Sequence, residues 1–134
     1  MRHAPYATEY LAVPVMSEGE LMEYFLTRSF ETEEVWTLQN DMDWFLLQRS
    51  GMQYLPVWPY QRFAEEALPD GGGYTVIAYA LEDFVFETLP ELIERDIGVE
   101  IMPRTTGAGC FITPHRLLDI IGGMFESGEY RLDG

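Results

Sequence analysis

Short stretches of alternating apolar and polar residues, separated by turn residues, constrain most strongly how this chain folds. Glu34–Gln39 alternates, 44–47 follows an Asn-Asp-Met-Asp turn, and 54–58 follows an Arg-Ser-Gly turn. A period of two indicates half-buried strands, and tight turns join antiparallel neighbours. We therefore predict a three-stranded antiparallel meander. Pro56 has no N–H for a ladder hydrogen bond, so we place it on an edge or in a bulge.

Segments with helical spacing surround these strands. Ser17 and Glu20 match a capping box that begins the first helix, and a second helix is predicted over 60–68. A third covers 81–95, where Pro90 predicts a kink or two abutting helices. Strands are predicted over 98–102 and 110–112, 74–79 is either a strand or an extended approach to the next helix, and a last helix is predicted over 113–125.

This order of elements predicts an α+β domain, in which helices pack on a mostly antiparallel, mixed sheet. Residues 17–125 form this single domain. We expect 1–16 to be an irregular leader, with 9–13 as a short edge strand or an arm, and 126–134 to be a frayed tail. A chain of 134 residues is long enough to bury one core without a disulfide or a metal.

The charge argues against two classes of partner. Twenty-three acidic residues and eight arginines, with no lysine, give a formal net charge of −15. Contacts with nucleic acid phosphates need Lys or Arg, and anionic membranes repel an acidic chain, so we expect neither partner. Cys110 is the one cysteine, which favours a cytoplasmic location. The acids divide almost evenly between the two halves of the chain, which favours a role in solubility.

Several stretches resemble a known bacterial family. They are 55–59 (Leu-Pro-Val-Trp-Pro), 34–38, 81–84 with 89–90, 98–103 and 113–117. Over roughly 17–120 the chain resembles the small bacterial proteins grouped as domain of unknown function family 2750. Its strand order is also similar to that of the amino-terminal domain of the enhanced-serine-sensitivity SseB proteins. Neither resemblance supplies a catalytic residue, and a shared fold does not fix function.

Residues that could carry chemistry are few. His115 and Asp119 stand four apart on the last helix and lack a third metal ligand. Cys110 with His115 as its base would make a nucleophile, but its place in a strand favours a small buried side chain. Asp41 and Asp43 lie in a turn that lacks the other oxygen donors of a calcium loop. We therefore predict no catalytic residue, no metal site and no cofactor.

Our candidates for partner binding are Trp58, Tyr60, Arg62 and Arg104. Trp58 is favoured as a core residue, since it lies in an alternating strand and would bury ~150–250 Å². The alternative is that Trp58 and Tyr60 flank Pro59 in an exposed contact patch. Every positive contact must come from arginine, so Arg62 and Arg104 are the cations to test. Arg104 also begins a polar loop that fits either a small anion or a plain hairpin.

Three functions are open at this point. The first is a non-enzymatic protein-interaction module, with an unknown protein or a second copy of itself as its partner. The second is an acidic antagonist of the immunity-protein kind, which covers a basic protein surface. The third is an enzyme with paired carboxylates, which needs two acids in one cleft. Because the catalytic motifs we sought are absent, the sequence favours the first.

Overall fold

The computed structural model describes residues 5–104 and 108–127, which contain six α-helices and six strands. The helices are α1 Ala7–Ala12, α2 Glu18–Thr32, α3 Gln61–Glu66, α4 Leu81–Asp83, α5 Leu89–Glu94 and α6 Pro114–Ser127. The strands are β1 Glu34–Gln39, β2 Leu47–Arg49, β3 Met52–Val57, β4 Thr75–Ala80, β5 Gly98–Ile101 and β6 Cys110–Ile112. The predicted α+β class is confirmed. Within the described ranges, every helix is too short or too polar to cross a membrane.

The strands form two sheets. β1 and β4 pair antiparallel along their whole length and make a two-stranded sheet. The other sheet has the order β2-β3-β5-β6, in which β3 and β5 are parallel and the other pairs are antiparallel. The larger sheet is therefore mostly antiparallel and mixed, as predicted.

The predicted meander is wrong at its first step, because β1 pairs with β4 instead of the strand that follows it. β1 meets the larger sheet at two isolated bridges, from Gln39 to Trp44 and from Trp36 to Trp58. Between Gln39 and Trp44 the chain makes a local turn, in which the Asn40 side-chain oxygen accepts hydrogen bonds from the Met42 and Asp43 amides. The chain after this turn forms no strand until Leu47, so β4 supplies the longer partner for β1.

The second predicted turn is confirmed, and it places Pro56 without loss of a ladder bond. Ser50 and Gly51 have φ angles of 51° and 81°, which is the pattern of a two-residue hairpin turn. β2 pairs with β3 only as far as Tyr54. Pro56 lies beyond that end, and its carbonyl oxygen accepts the Thr37 hydroxyl at 2.6 Å, on the side away from β5. An inner strand therefore tolerates a proline where its neighbour has ended.

Two predictions about helices have different outcomes. The capping box is confirmed, since the Glu20 amide donates to Ser17 Oγ at 3.2 Å and the Ser17 amide donates to the Glu20 carboxylate at 2.8 Å. Pro90 does not divide its helix into two. The chain stays helical from Leu81 to Glu94 through a π turn at Phe84–Thr88, which changes the hydrogen-bond spacing just before the proline.

The larger sheet has a core face and a second face that we call the outer face. Side chains on the core face are buried with residues of α2, α5 and α6 in one hydrophobic cluster. They include Leu55, Val57, Val99 and Ile101. The strand register puts the alternate side chains on the outer face. These include Arg49, Tyr54, Pro56, Glu100 and Phe111.

The leader has regular structure, which corrects the prediction of an irregular segment. α1 and a 3₁₀ turn at Val13–Val15 occupy it, so the predicted edge strand over 9–13 is helical instead. Ala, Leu and Glu are good helix formers, which explains the local preference. α6 continues into the predicted tail as far as Ser127. The rest of that tail, together with 1–4 and 105–107, lies outside the described residues.

Candidate functional site

Polar contacts attach the leader to α2. The Glu9 carboxylate accepts hydrogen bonds from the Tyr24 hydroxyl and from an Arg28 nitrogen, both at 2.8 Å. Burial raises the pKa of Tyr24, and the hydrogen bond to Glu9 raises it further. The Tyr24 hydroxyl therefore stays protonated and keeps its role as a donor to Glu9 near neutral pH.

A second set of contacts attaches the leader to α3 through Tyr10. Its hydroxyl donates to the Glu66 carboxylate at 2.7 Å. Its ring stacks on Phe63, with 6.0 Å between the ring centroids. The Arg62 guanidinium makes a cation–π contact with the Tyr10 ring, 3.9 Å from the ring centroid. The hydrogen bond to Glu66 is the largest cause of a raised pKa at Tyr10. Aromatic packing and hydrogen bonding therefore fix this side chain together.

Arg104 binds the end of the leader. Its Nη1 donates to the carbonyl oxygens of Val13, Pro14 and Met16 at 3.2, 3.3 and 2.8 Å. Its Nη2 donates to the carbonyl oxygen of Ala108 at 2.7 Å. The Val13 carbonyl also accepts the Met16 amide at 3.1 Å, and the guanidinium adds charged donors to the carbonyls at the end of this short helical turn. One side chain thus joins the leader to the connection between β5 and β6.

The docked leader encloses a pocket against the outer face of the sheet and α3. The cavity measures about 430 Å³, within the ~300–1,000 Å³ of small-ligand sites. We call it the leader pocket. Its described lining residues are Tyr10, Leu11, Val13, Pro14, Phe45, Leu47, Arg49, Pro56, Trp58, Phe63, Glu66, Ala67, Met102, Pro103 and Arg104. Most of these side chains are apolar, and the charged ones are Arg49, Glu66 and Arg104.

An ion pair with a buried carboxylate supports one of the lining residues of the pocket. Glu100 is 0% exposed, and both its oxygens accept hydrogen bonds from Arg49, at 3.1 and 3.3 Å. The Gly109 amide donates to the same carboxylate at 2.8 Å. A side chain at position 109 would collide with the Ile101 carbonyl oxygen, so glycine is required for this close approach of β5 and β6. The Arg49 side chain is 42% exposed and lines the pocket.

Three of the four candidate partner-binding residues line the leader pocket or hold the leader, and the fourth, Tyr60, lies in the core. Trp58 is 2% exposed and lines the pocket, with its indole N–H donating to the Pro103 carbonyl at 3.2 Å. Tyr60 is 0% exposed in the core. The alternative of an exposed patch around these two rings is therefore wrong, because both are buried and Tyr60 packs against Tyr24 and Phe63. Arg62 and Arg104 hold the leader, and whether they also bind a partner stays a prediction.

The other residues with possible chemistry lie apart from this pocket. Cys110 is half-buried in β6, and burial raises the pKa of its thiol. Asp43 pairs with Arg95 at 2.6 Å, and that hydrogen bond lowers the pKa of its carboxyl. His115 is exposed on α6. Across 5–104 and 108–127, no three His, Cys, Asp or Glu side chains are grouped so that they could hold a metal ion.

Comparison with protein families gives one informative match. The model of a family described as a protein of unknown function, DUF2750, matches residues 22–121. The chain belongs to the DUF2750 family. A search of the curated proteins finds no match. The matched range of this DUF2750 protein runs from α2 to α6 and includes Arg49, Trp58, Glu100 and Arg104, whereas the leader precedes it. The architectural similarity to the SseB amino-terminal domain stays a prediction.

Sequence reasoning missed three residues that build the site of this DUF2750 protein. Glu100 offered a signal, because a carboxylate between Val99 and Ile101 in an apolar strand needs a buried partner. Arg49 gave a weaker one, since it appeared as part of a turn. Tyr10 gave none, because its contacts with α3 join residues 56 positions apart.

Replacing Arg104 by alanine tests the attachment of the leader. The Met16 amide, which donates to the Val13 carbonyl at 3.1 Å, should exchange its hydrogen at least about tenfold faster, because hydrogen bonds to a charged group contribute ~1.5–3 kcal/mol. Hydrogen exchange followed by NMR measures this, with the Phe25 amide in α2 as an internal reference. The matched control is Arg116→Ala, at an exposed arginine on α6. Unchanged exchange at Met16 would contradict the assigned contact.

Proposed function

We propose that this DUF2750 protein is a non-enzymatic, cytoplasmic protein-interaction module, and that an apolar group of its partner enters the leader pocket. The observation that carries this proposal is the cavity of about 430 Å³ with mostly apolar walls and a few placed polar groups. Concave, mostly apolar pockets with a few polar groups are the sites at which proteins usually bind ligands. The single cysteine supports the cytoplasmic part of the proposal.

The polar groups of the pocket support binding more than catalysis, because they hold the walls in place. The Tyr10 hydroxyl is occupied by Glu66, and the Trp58 indole N–H by the Pro103 carbonyl. Glu66 is the one carboxylate among the described lining residues, whereas a carboxylate-based enzyme needs two in one cleft. A rigid apolar pocket selects its occupant by shape and desolvation.

The rim of the pocket supports a protein as the partner. Leu11 lines the pocket and is 73% exposed, and Val15 farther along the leader is 85% exposed. Exposed apolar side chains beside a cavity lose contact with water when a partner covers them. A small ligand inside the pocket would leave Val15 in water, whereas a protein surface covers both residues.

Filling the pocket tests this function. Ala67 is half-buried and lines the cavity, so Ala67→Trp should occupy it and reduce capture of the partner by at least about tenfold, since losing one buried anchor costs ≥ 2 kcal/mol. Ala78→Trp on the exposed part of β4 adds the same ring elsewhere and is the control. Crosslinked capture from the native cell, with mass spectrometry to identify either another protein or a second copy, measures the effect. Equal capture by both variants would contradict the proposal.

The acidic-antagonist hypothesis has one structural observation in its favour. Residues 81–96, which run from the start of α4 to just after α5, carry six exposed acids and one arginine. Phe86 is 64% exposed in the middle of this stretch and stacks on Phe125. An acidic surface around an exposed ring suits a basic protein with an apolar contact. This surface lies on different elements from the leader pocket.

Salt dependence tests the antagonist hypothesis. The association rate with a captured basic partner should fall at least about tenfold between ~50 and ~500 mM salt, because screening shortens the range of attraction. Glu82→Gln with Glu87→Gln should lower the rate at low salt. Glu18→Gln with Glu23→Gln removes the same charge from exposed positions of α2 and is the control. A rate that depends on neither salt nor the first pair of changes counts against this function.

A further inference from the structure

Arg49 lines the leader pocket and keeps one nitrogen free of hydrogen bonds to the described chain. Its Nε and Nη2 donate to Glu100, which in turn accepts from the Gly109 amide. Among the described residues, none accepts a hydrogen bond from its Nη1. Because Glu100 is completely buried, it holds the guanidinium in one orientation. A ligand therefore meets a donor that is already positioned.

Arg104 lines the same pocket and adds a second positive charge. All its described hydrogen bonds go to backbone carbonyl oxygens, so no carboxylate in the described chain neutralises it. Its partner Ala108 precedes Gly109, which binds Glu100, so the two arginines are connected through the β5–β6 hairpin. This part of the lining therefore has two guanidinium groups, with one buried carboxylate behind Arg49. It is locally positive in a chain whose net charge is −15.

Most of the other residues that line the pocket are apolar. They include Phe63 of α3, Ala67 directly after this helix and Leu11 of the leader, with the Glu66 carboxylate among them. We propose, as a refinement that rests on the function proposed above, that the pocket binds the carboxy-terminal residue of the partner protein. Its apolar side chain contacts these residues, and its terminal carboxylate accepts hydrogen bonds from Arg49. In the carboxy-terminal residue of a protein, the carboxylate and the side chain are attached to the same carbon atom, so a carboxylate lies next to an apolar side chain.

Peptides with and without a terminal charge test this inference. The probes are N-acetylated tripeptides that end in Leu, Phe or Trp, each prepared as the free acid and as the carboxy-terminal amide. At least one free acid should bind at least about tenfold more tightly than its amide, because a charge-assisted hydrogen bond to arginine is lost in the amide. NMR titration of the full chain gives both affinities and shows whether Ala67 and its neighbours shift.

A paired substitution assigns the preference to Arg49. Arg49→Gln alone leaves the buried Glu100 carboxylate without its cation and is prone to unfold the chain. Arg49→Gln with Glu100→Gln removes both charges and keeps an acceptor for the Gly109 amide. In this double variant the acid and amide should bind within about twofold of each other. Arg116→Gln, which removes one exposed positive charge from α6, should keep the tenfold preference.

The outcomes separate this inference from the function on which it rests. Equal binding of acid and amide, abolished by Ala67→Trp, overturns the carboxylate contact and leaves the pocket as a protein-binding site. A preference that survives in the double variant overturns the role of Arg49. Binding of 4-phenylbutyrate with no binding of any tripeptide overturns the peptide terminus as the occupant. A tenfold preference for the acid that disappears only in the double variant supports the inference.

Discussion

The ion pair between Glu100 and Arg49 is the interaction on which the outer face of this protein depends. A charge that is 0% exposed is stable only with close compensation, and here Arg49 and the Gly109 amide supply it. Arg49 belongs to β2 and Glu100 to β5, and Gly109 directly precedes β6. The pair therefore ties the β2–β3 hairpin to the β5–β6 hairpin and keeps an arginine at the wall of the leader pocket.

The leader turns this face into a pocket, and sequence reasoning could not find that arrangement. α1 buries none of its own residues, so it has no apolar stripe from which docking could be predicted. Its attachment depends on polar contacts between distant positions, such as Tyr10 with Glu66 and Arg104 with the Val13 carbonyl. Burial of Trp58 was predictable, because alternation in a strand depends only on adjacent residues.

The fold shows the same division between local and distant interactions. The capping box at Ser17 and the turn at Ser50–Gly51 were predicted correctly, because each involves residues at most three positions apart. The pairing of β1 with β4 was not predicted. Glu34 lies opposite Ala80, and neither strand has a sequence pattern that indicates its partner. Periodicity indicates which residues form a strand, whereas the choice of neighbour depends on the packing of the whole chain.

The position of the leader on α3 is the central claim, and a nuclear Overhauser measurement tests it most directly. The ring centroids of Tyr10 and Phe63 lie 6.0 Å apart, so their ring protons are close enough to give cross-peaks in a NOESY spectrum of the full chain. We expect these cross-peaks, together with helical chemical shifts across Ala7–Ala12. Random-coil shifts for α1 and no cross-peak between the two rings would contradict the leader pocket and both proposals that depend on it.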